Sequence, residues 1–154
     1  MSEVKFSTIQ LHPFIIQENV IKYIILQRHH NSKYYPSMWQ VVTGKINPNE
    51  KAYEAAIREL YEETGLEVDK LYHIPFIGSF YDWRNDNIEQ IPCFAAEVSS
   101  TNIKLSHEHS DYRVLDFEEL ISYLTLPSHL MASEYLKKHI IDNPNSSNFL
   151  IYKK

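Results

Sequence analysis

Cysteine is almost missing from this 154-residue chain: Cys93 stands alone, so no disulfide can close within it. That fits a reducing compartment. Cys93 lies in the apolar stretch Ile91–Ala96 and reads as a core residue, because burial suppresses the reactive thiolate. Glycine is scarce too, with only Gly44, Gly65 and Gly78. No apolar run approaches the roughly 20 residues of a membrane helix. The N-terminus, with Glu3 and Lys5 among polar residues, has no apolar leader segment. The expectation is a cytoplasmic protein with no membrane partner. Basic charge is not in excess: 15 Lys and Arg face 20 Asp and Glu, for a net charge of -5. That speaks against a protein that coats nucleic acid. It does not exclude a small anionic substrate, because bound metal ions can reverse the local sign. No repeat, low-complexity tract or linker is visible. At 44% apolar and 23% charged residues, positions 1–154 suit one domain with a substantial core.

Ile and Tyr are plentiful, which favours strands. Val20–Gln27 reads as a buried strand and 28–37, which holds Pro36, as a loop. Met38–Thr43 is a short strand and 44–49 a loop. Asn47 and Pro48 mark a helix start, with Glu50 three residues after Asn47. Lys51–Thr64 reads as a helix closed by Gly65. Strand-like runs at Leu71–Trp83 and Ile88–Val98 flank a polar turn at 84–87. Tyr112–Leu115 is a short strand. Asp116 then caps a helix to about Leu124, with Glu119 completing a capping box, and Pro127 and Ser128 open a last helix to about Ile141. This order predicts an α/β fold with a mixed sheet packed between helices.

On the helix over Lys51–Thr64, at about 100° per residue, Tyr53, Ile57, Leu60 and Thr64 fall on one stripe, the expected core face. Glu59, Glu62 and Glu63 fall on another, with Ala52, Ala55 and Ala56 beneath them. Carboxylates at i and i+4 destabilise an isolated helix by roughly 0.2–0.5 kcal/mol per pair. A hard divalent cation would offset that repulsion, since magnesium prefers carboxylate oxygens. Arg58 beside the group is placed to pair with Glu50 across the loop. A solvated acidic face is the commoner reading of such a cluster taken alone.

The wider pattern overturns it. Residues 44–66 read GKINPNEKAYEAAIRELYEETGL, which resembles the signature of the Nudix hydrolases, G-x5-E-x7-R-E-U-x-E-E-x-G-U with U a bulky aliphatic. Gly44, Glu50, Arg58, Glu59, Leu60, Glu62, Glu63, Gly65 and Leu66 meet every fixed position. Chance would do so on the order of one time in a billion per starting position. The resemblance implies an α/β/α sandwich with a mixed β-sheet between helices, and a Mg²⁺-dependent pyrophosphohydrolase, with Mn²⁺ a substitute. It implies Glu59, Glu62 and Glu63 as metal ligands, with Gly44 through its carbonyl and Glu50 in support. Arg58 would hold the carboxylates, and Glu108, outside the box in LSHEHSDYRVL, would be a base or further ligand flanked by His107 and His109. Catalysis is expected of Glu62, Glu59, Glu108 and Arg58.

Two local resemblances bear on the substrate. Trp39–Gly44 (WQVVTG) looks like the entry to the box in dihydroneopterin triphosphate and bacterial nucleoside triphosphate pyrophosphohydrolases. Leu105–His109, followed by Tyr112 and Arg113, looks like diadenosine tetraphosphate hydrolases, although Val114 stands where those carry Trp. Substrate contacts are expected from Arg28, Lys45 and Arg84 to phosphate and from Trp39, Tyr34, Tyr81 and Trp83 to a ring, with core packing the alternative for each aromatic. The expected partner is a small nucleotide-like molecule and no nucleic acid. Dimers are common among similar proteins, so a homodimer stays open, as does a catalytically silent binding module.

Overall fold

The computed structural model describes residues 1–154. Strands β1 (Glu3–Lys5), β2 (Thr8–Gln17), β3 (Val20–Arg28), β4 (Trp39–Gln40) and β5 (Val42–Lys45) precede helix α1 (Ala52–Thr64). Then come β6 (Lys70–Asp82), β7 (Asn87–Val98), β8 (His109–Leu115), α2 (Phe117–Tyr123), α3 (Pro127–Leu136) and β9 (Leu150–Lys153). A π turn, Lys137–Ile141, continues α3. All nine strands join one sheet. Its spine runs β4-β3-β2-β7-β6-β9, with β5 beside β2, β8 beside β3 and β1 beside β7. Strand β7 is parallel to β1 and β2, and the other pairings are antiparallel, so the sheet is mixed as expected. No helix is long and apolar enough to cross a membrane.

Alternation of side chains along the central strands builds a core on each face. Ile9, Leu11, Ile24, Leu26, Phe94 and Ala96 face α1, where they meet Ala55, Ala56 and Leu60. Phe14, Tyr23, Ile25, Cys93 and Ala95 face the other way and meet Leu120, Leu124, Ala132 and Leu136. The sheet therefore lies between α1 and the α2–α3 pair, the α/β/α sandwich that the sequence implied. Cys93 is buried, and burial pushes its thiol up to about 12, in keeping with a core role.

Several local expectations need correction. The sequence reading missed β1, β2 and β9. It began β8 three residues late, at Tyr112 rather than His109. Helix α1 starts at Ala52, with Lys51 as the capping residue, and the Lys51 N–H donates to Glu54 Oε2 at 2.9 Å. Asn47 and Pro48 instead form a turn before it, where Asn49 takes φ 65° and the Asn47 N–H donates to Glu50 Oε2 at 2.8 Å. The core stripe of α1 is also rotated. Tyr53 and Ile57 are only partly buried, whereas Ala55 and Ala56 are sealed against the sheet. Their small side chains let the helix approach closely and carry Glu63 inward. Both expected terminators are present: Gly65 takes φ 73° and donates to Tyr61 O at 2.8 Å, and the Glu119 N–H donates to Asp116 Oδ1 at 2.9 Å.

Candidate active site

Arg58 organises the acidic residues. A guanidinium has five N–H donors in a fixed fork, and here each has a partner. Nε donates to Glu50 Oε1 at 2.7 Å, and Nη2 to Glu50 Oε2 at 3.0 Å and Lys45 O at 2.8 Å. Nη1 donates to Glu59 Oε1 at 2.8 Å and Glu62 Oε2 at 3.1 Å. The arginine thus fastens the loop before α1, the end of β5 and two helix carboxylates to one plane. The hydrogen bonds from Arg58 are the main reason the Glu50 carboxyl is held below its ordinary range, with the Asn47 N–H second.

Gly44 is needed for close approach. A Cβ there would overlap Cγ and Cδ of Glu59, so the glutamate lies in the space the glycine leaves open. Glu59, Glu62 and Glu63 are not equivalent. The Glu62 side chain is 55% exposed and Glu59 only 13%, and Glu63 as a residue is 4% exposed. Burial, and next the charges of Glu59 and Glu108, push the Glu63 carboxyl up to about 9. Burial raises Glu59 as well, against the opposing bond from Arg58.

The segment before β8 brings Glu108 to the same place. The Lys104 N–H donates to Thr64 O at 2.9 Å and the Ser106 N–H to Glu63 O at 3.2 Å, which ties this loop to the end of α1. The His29 N–H donates to Glu108 O at 2.9 Å. Donor atoms of Glu63, Glu108 and His109 fall within 4.8 Å of one another. His109 is not an exposed loop residue, the default for its type. It is buried at the start of β8, with Nε2 3.1 Å from Gln40 Nε2, and burial, with Arg28 second, lowers it to about 4.

Gly44, Glu59, Glu63 and Glu108 line a cleft of about 660 Å³ together with Arg28, Lys45 and His107, whereas Glu50, Arg58, Glu62 and His109 do not line it. A second pocket of about 390 Å³ shares Arg28, Thr43, Gly44 and Lys45 with it and adds apolar walls from Ile9, Met38, Phe80 and Ile91. Arg28 and Lys45, two of the residues the sequence reading offered for phosphate contact, line both pockets. Other candidates lie elsewhere. Trp39 packs edge-on against Tyr123 at 5.4 Å, with Arg113 over its ring, and lines neither pocket. Tyr81 donates to Asp86 at 2.8 Å and Arg84 covers the Trp83 ring at 4.9 Å, both at the tip of the β6–β7 hairpin. Arg84 and Tyr34 line a third hollow there, apart from the glutamates. The sequence reading missed His29, Asn31 and Ser32 in the cleft and Gln10, Phe80, Ser128 and His129 in the second pocket. The polar Gln10 and His12 within an otherwise apolar run were the available signal.

The glutamates fit a hard divalent cation. Glu63 Oε2 is buried without a hydrogen-bond partner, and none of the Arg58 donors reaches it. A buried, unpaired carboxylate among like charges is costly unless a cation compensates it. Carboxylate and carbonyl oxygens are the donors that magnesium prefers.

Residues 14–137 match a family model described as the NUDIX domain. The chain is 33% identical over 114 residues to a bis(5'-nucleosyl)-tetraphosphatase (asymmetrical) of Mus musculus, which covers 68% of this chain and 70% of that one. It is 31% identical over 123 residues to an NAD-capped RNA hydrolase of Macaca fascicularis, covering 73% of this chain and 26% of the relative. It thus spans about a quarter or less of the longer relatives that it matches. Among solved structures, a Nudix hydrolase of Listeria monocytogenes superposes with a TM-score of 0.73 at 27% identity, over 88% of this chain and 94% of that one.

Proposed function

The chain belongs to the Nudix hydrolase family, and from that premise we propose that it cleaves a diphosphate linkage in a nucleoside triphosphate or a dihydroneopterin triphosphate-like compound. The observation that carries this reading is the orphaned Glu63 carboxylate deep in a polar cleft that opens directly onto an apolar pocket. A phosphate chain suits the first space and one heterocyclic ring the second. We take residues 1–154 as one domain acting in the cytoplasm.

Glu59, Glu62 and Glu63 would hold Mg²⁺, or Mn²⁺ in its place, with Gly44 O and Glu50 in support. A bound divalent cation supplies neutralising charge for phosphate oxygens and makes water more acidic. Arg58 positions the carboxylates through charge-assisted hydrogen bonds, which are stronger and more directional than neutral ones. Arg28 and Lys45, on the wall shared by the two pockets, bind the phosphate chain. Glu108, which lines the cleft with Glu59 and Glu63, accepts a proton from the attacking water.

A second reading, hydrolysis of a dinucleoside polyphosphate, is favoured by the mouse relative, of which this chain covers 70%. One experiment tests both: phosphate or pyrophosphate release with and without Mg²⁺ from deoxynucleoside triphosphates, dihydroneopterin triphosphate, diadenosine polyphosphates and ADP-ribose. The proposal expects metal-dependent turnover that is fastest on a triphosphate. Fastest turnover of diadenosine polyphosphates would replace it with the second reading, and no turnover of any compound would leave a binding module.

A further inference from the structure

The floor of the apolar pocket is a buried polar network that no step above uses. Gln10, 1% exposed, points from β2 toward the α3 side of the sheet. Its Nε2 donates to Ser128 Oγ at 3.0 Å, and its Oε1 lies 3.1 Å from His12 Nε2. His12 Nδ1 lies 3.3 Å from Ser133 Oγ, which also donates to His129 O at 2.8 Å. The network thus runs from the pocket surface, at Gln10 and Ser128, through the sheet–helix interface to α3. His129 lines the same pocket, is 3% exposed, and its Nδ1 has no partner in the chain. Gly78 completes the arrangement: a Cβ there would come within 3.2 Å of both Gln10 Nε2 and Ser128 Cβ.

These groups satisfy one another among Ile9, Phe80, Ile91 and Leu126, and two donors of the network remain for a ligand. Gln10 Nε2 has a second N–H beyond the one given to Ser128. Ser128, having accepted that bond, keeps its own O–H to donate. Two adjacent donors call for an oxygen acceptor with two lone pairs.

We propose that Gln10 and Ser128 read the polar edge of the substrate's ring, and that this ring is a bicyclic heterocycle bearing an oxo group, of the guanine or pterin type. This rests on the pyrophosphohydrolase reading and narrows its substrate class. An adenine-type edge presents an amino group and ring nitrogens with one lone pair each, so it leaves one of the two donors unmet. A site that hydrogen-bonds a polar group rejects an analogue lacking it, because the protein groups are then left desolvated and unpaired.

The test is calorimetric binding of guanosine 5'-monophosphate, adenosine 5'-monophosphate and purine riboside 5'-monophosphate, the last without exocyclic groups. No hydrolysis is involved, so a failure of the proposed chemistry would not hide the answer. The parent protein is expected to bind the guanosine compound on the order of tenfold more tightly than either other. In Ser128→Ala, a mild change, and in Gln10→Leu, that preference should fall toward one. Equal affinities in the parent, or a preference that survives both substitutions, would overturn the proposal. Because Gln10 is buried, the decisive variant is Ser128→Ala, with its fold checked by near-UV circular dichroism.

Discussion

Replacing Glu63 with glutamine should make the metal-free protein more stable at alkaline pH, by an amount that follows from its surroundings. The residue is 4% exposed, and burial followed by the charges of Glu59 and Glu108 carries its carboxyl from 4.5 to about 9. Between those values the folded state holds a proton that the unfolded chain has released. Stability from this group is therefore complete below the unfolded value and is lost as pH rises through the folded one. Between pH 7 and pH 8.5 the loss comes to about 2 kcal/mol. Glutamine keeps the shape and titrates nothing, so the stability difference between variant and parent should widen by that amount over the same interval. For a chain of this length the change in Tm difference is roughly 4–8 °C. Thermal and urea unfolding with a chelator, at both pH values, would measure it. Adding Mg²⁺ should then stabilise the parent more than the variant, since a ligand selective for the folded state shifts unfolding by mass action. If the gap between the two proteins is the same at pH 7 and 8.5 under chelation, Glu63 is not an uncompensated buried carboxyl and the metal argument loses its main support.

Glu62→Gln should abolish turnover while leaving Tm nearly unchanged, because this side chain is 55% exposed and makes one hydrogen bond to Arg58; activity retained with Mg²⁺ would refute its assignment. Gly44→Ala should fold, yet lose on the order of 100-fold in kcat, because the new Cβ displaces the Glu59 carboxylate; steady-state kinetics beside a circular dichroism spectrum would check this. His12, His109 and His129 are held neutral chiefly by burial, at about 3, 4 and 4. Their contribution is intact above the unfolded value of 6.5 and is lost as pH falls toward the folded values, at about 1 kcal/mol per residue between pH 7 and 5.5. Urea titrations in a Glu63→Gln background would expose that slope, and three histidines whose removal left it unchanged would contradict their burial.

The legible parts of the fold were those that local chemistry decides. A capped amphipathic stretch with a terminal glycine and a hairpin with a polar turn need little tertiary context. Strand β2 was hidden because its pattern is broken by Gln10, His12 and Pro13. Those polar residues are tolerated only because α3 supplies Ser128 and Ser133 from 118 and 121 residues away. Pro13 is tolerated because it sits where one edge of β2 changes partner, after Thr8–Leu11 pair with β5 and before Phe14–Gln17 pair with β3. In the site, the Nudix pattern marked the glutamates, but their grading from exposed to buried depends on how deeply Ala55 and Ala56 let the helix settle. Trp39 looked like a ring contact from its neighbours in sequence, whereas its packing is decided by Tyr123 in a distant helix.

Strand β2 also has a bearing on what the site can measure. Ile9 lies opposite Gly44 and Gln10 opposite Thr43, so one strand carries Gln10 at the proposed ring end and, through its pairing with Gly44, borders the proposed phosphate end of the ligand space. The span between the two ends is then a fixed backbone length, as on a ruler with engraved marks. Sliding β2 by a single residue would not lengthen that ruler. It would turn Gln10 into the oily face beneath α1 and bring Ile9 or Leu11 into its place. Changes in substrate reach should therefore come from the side chains at either end, while the distance between them stays locked by the requirement to fold at all.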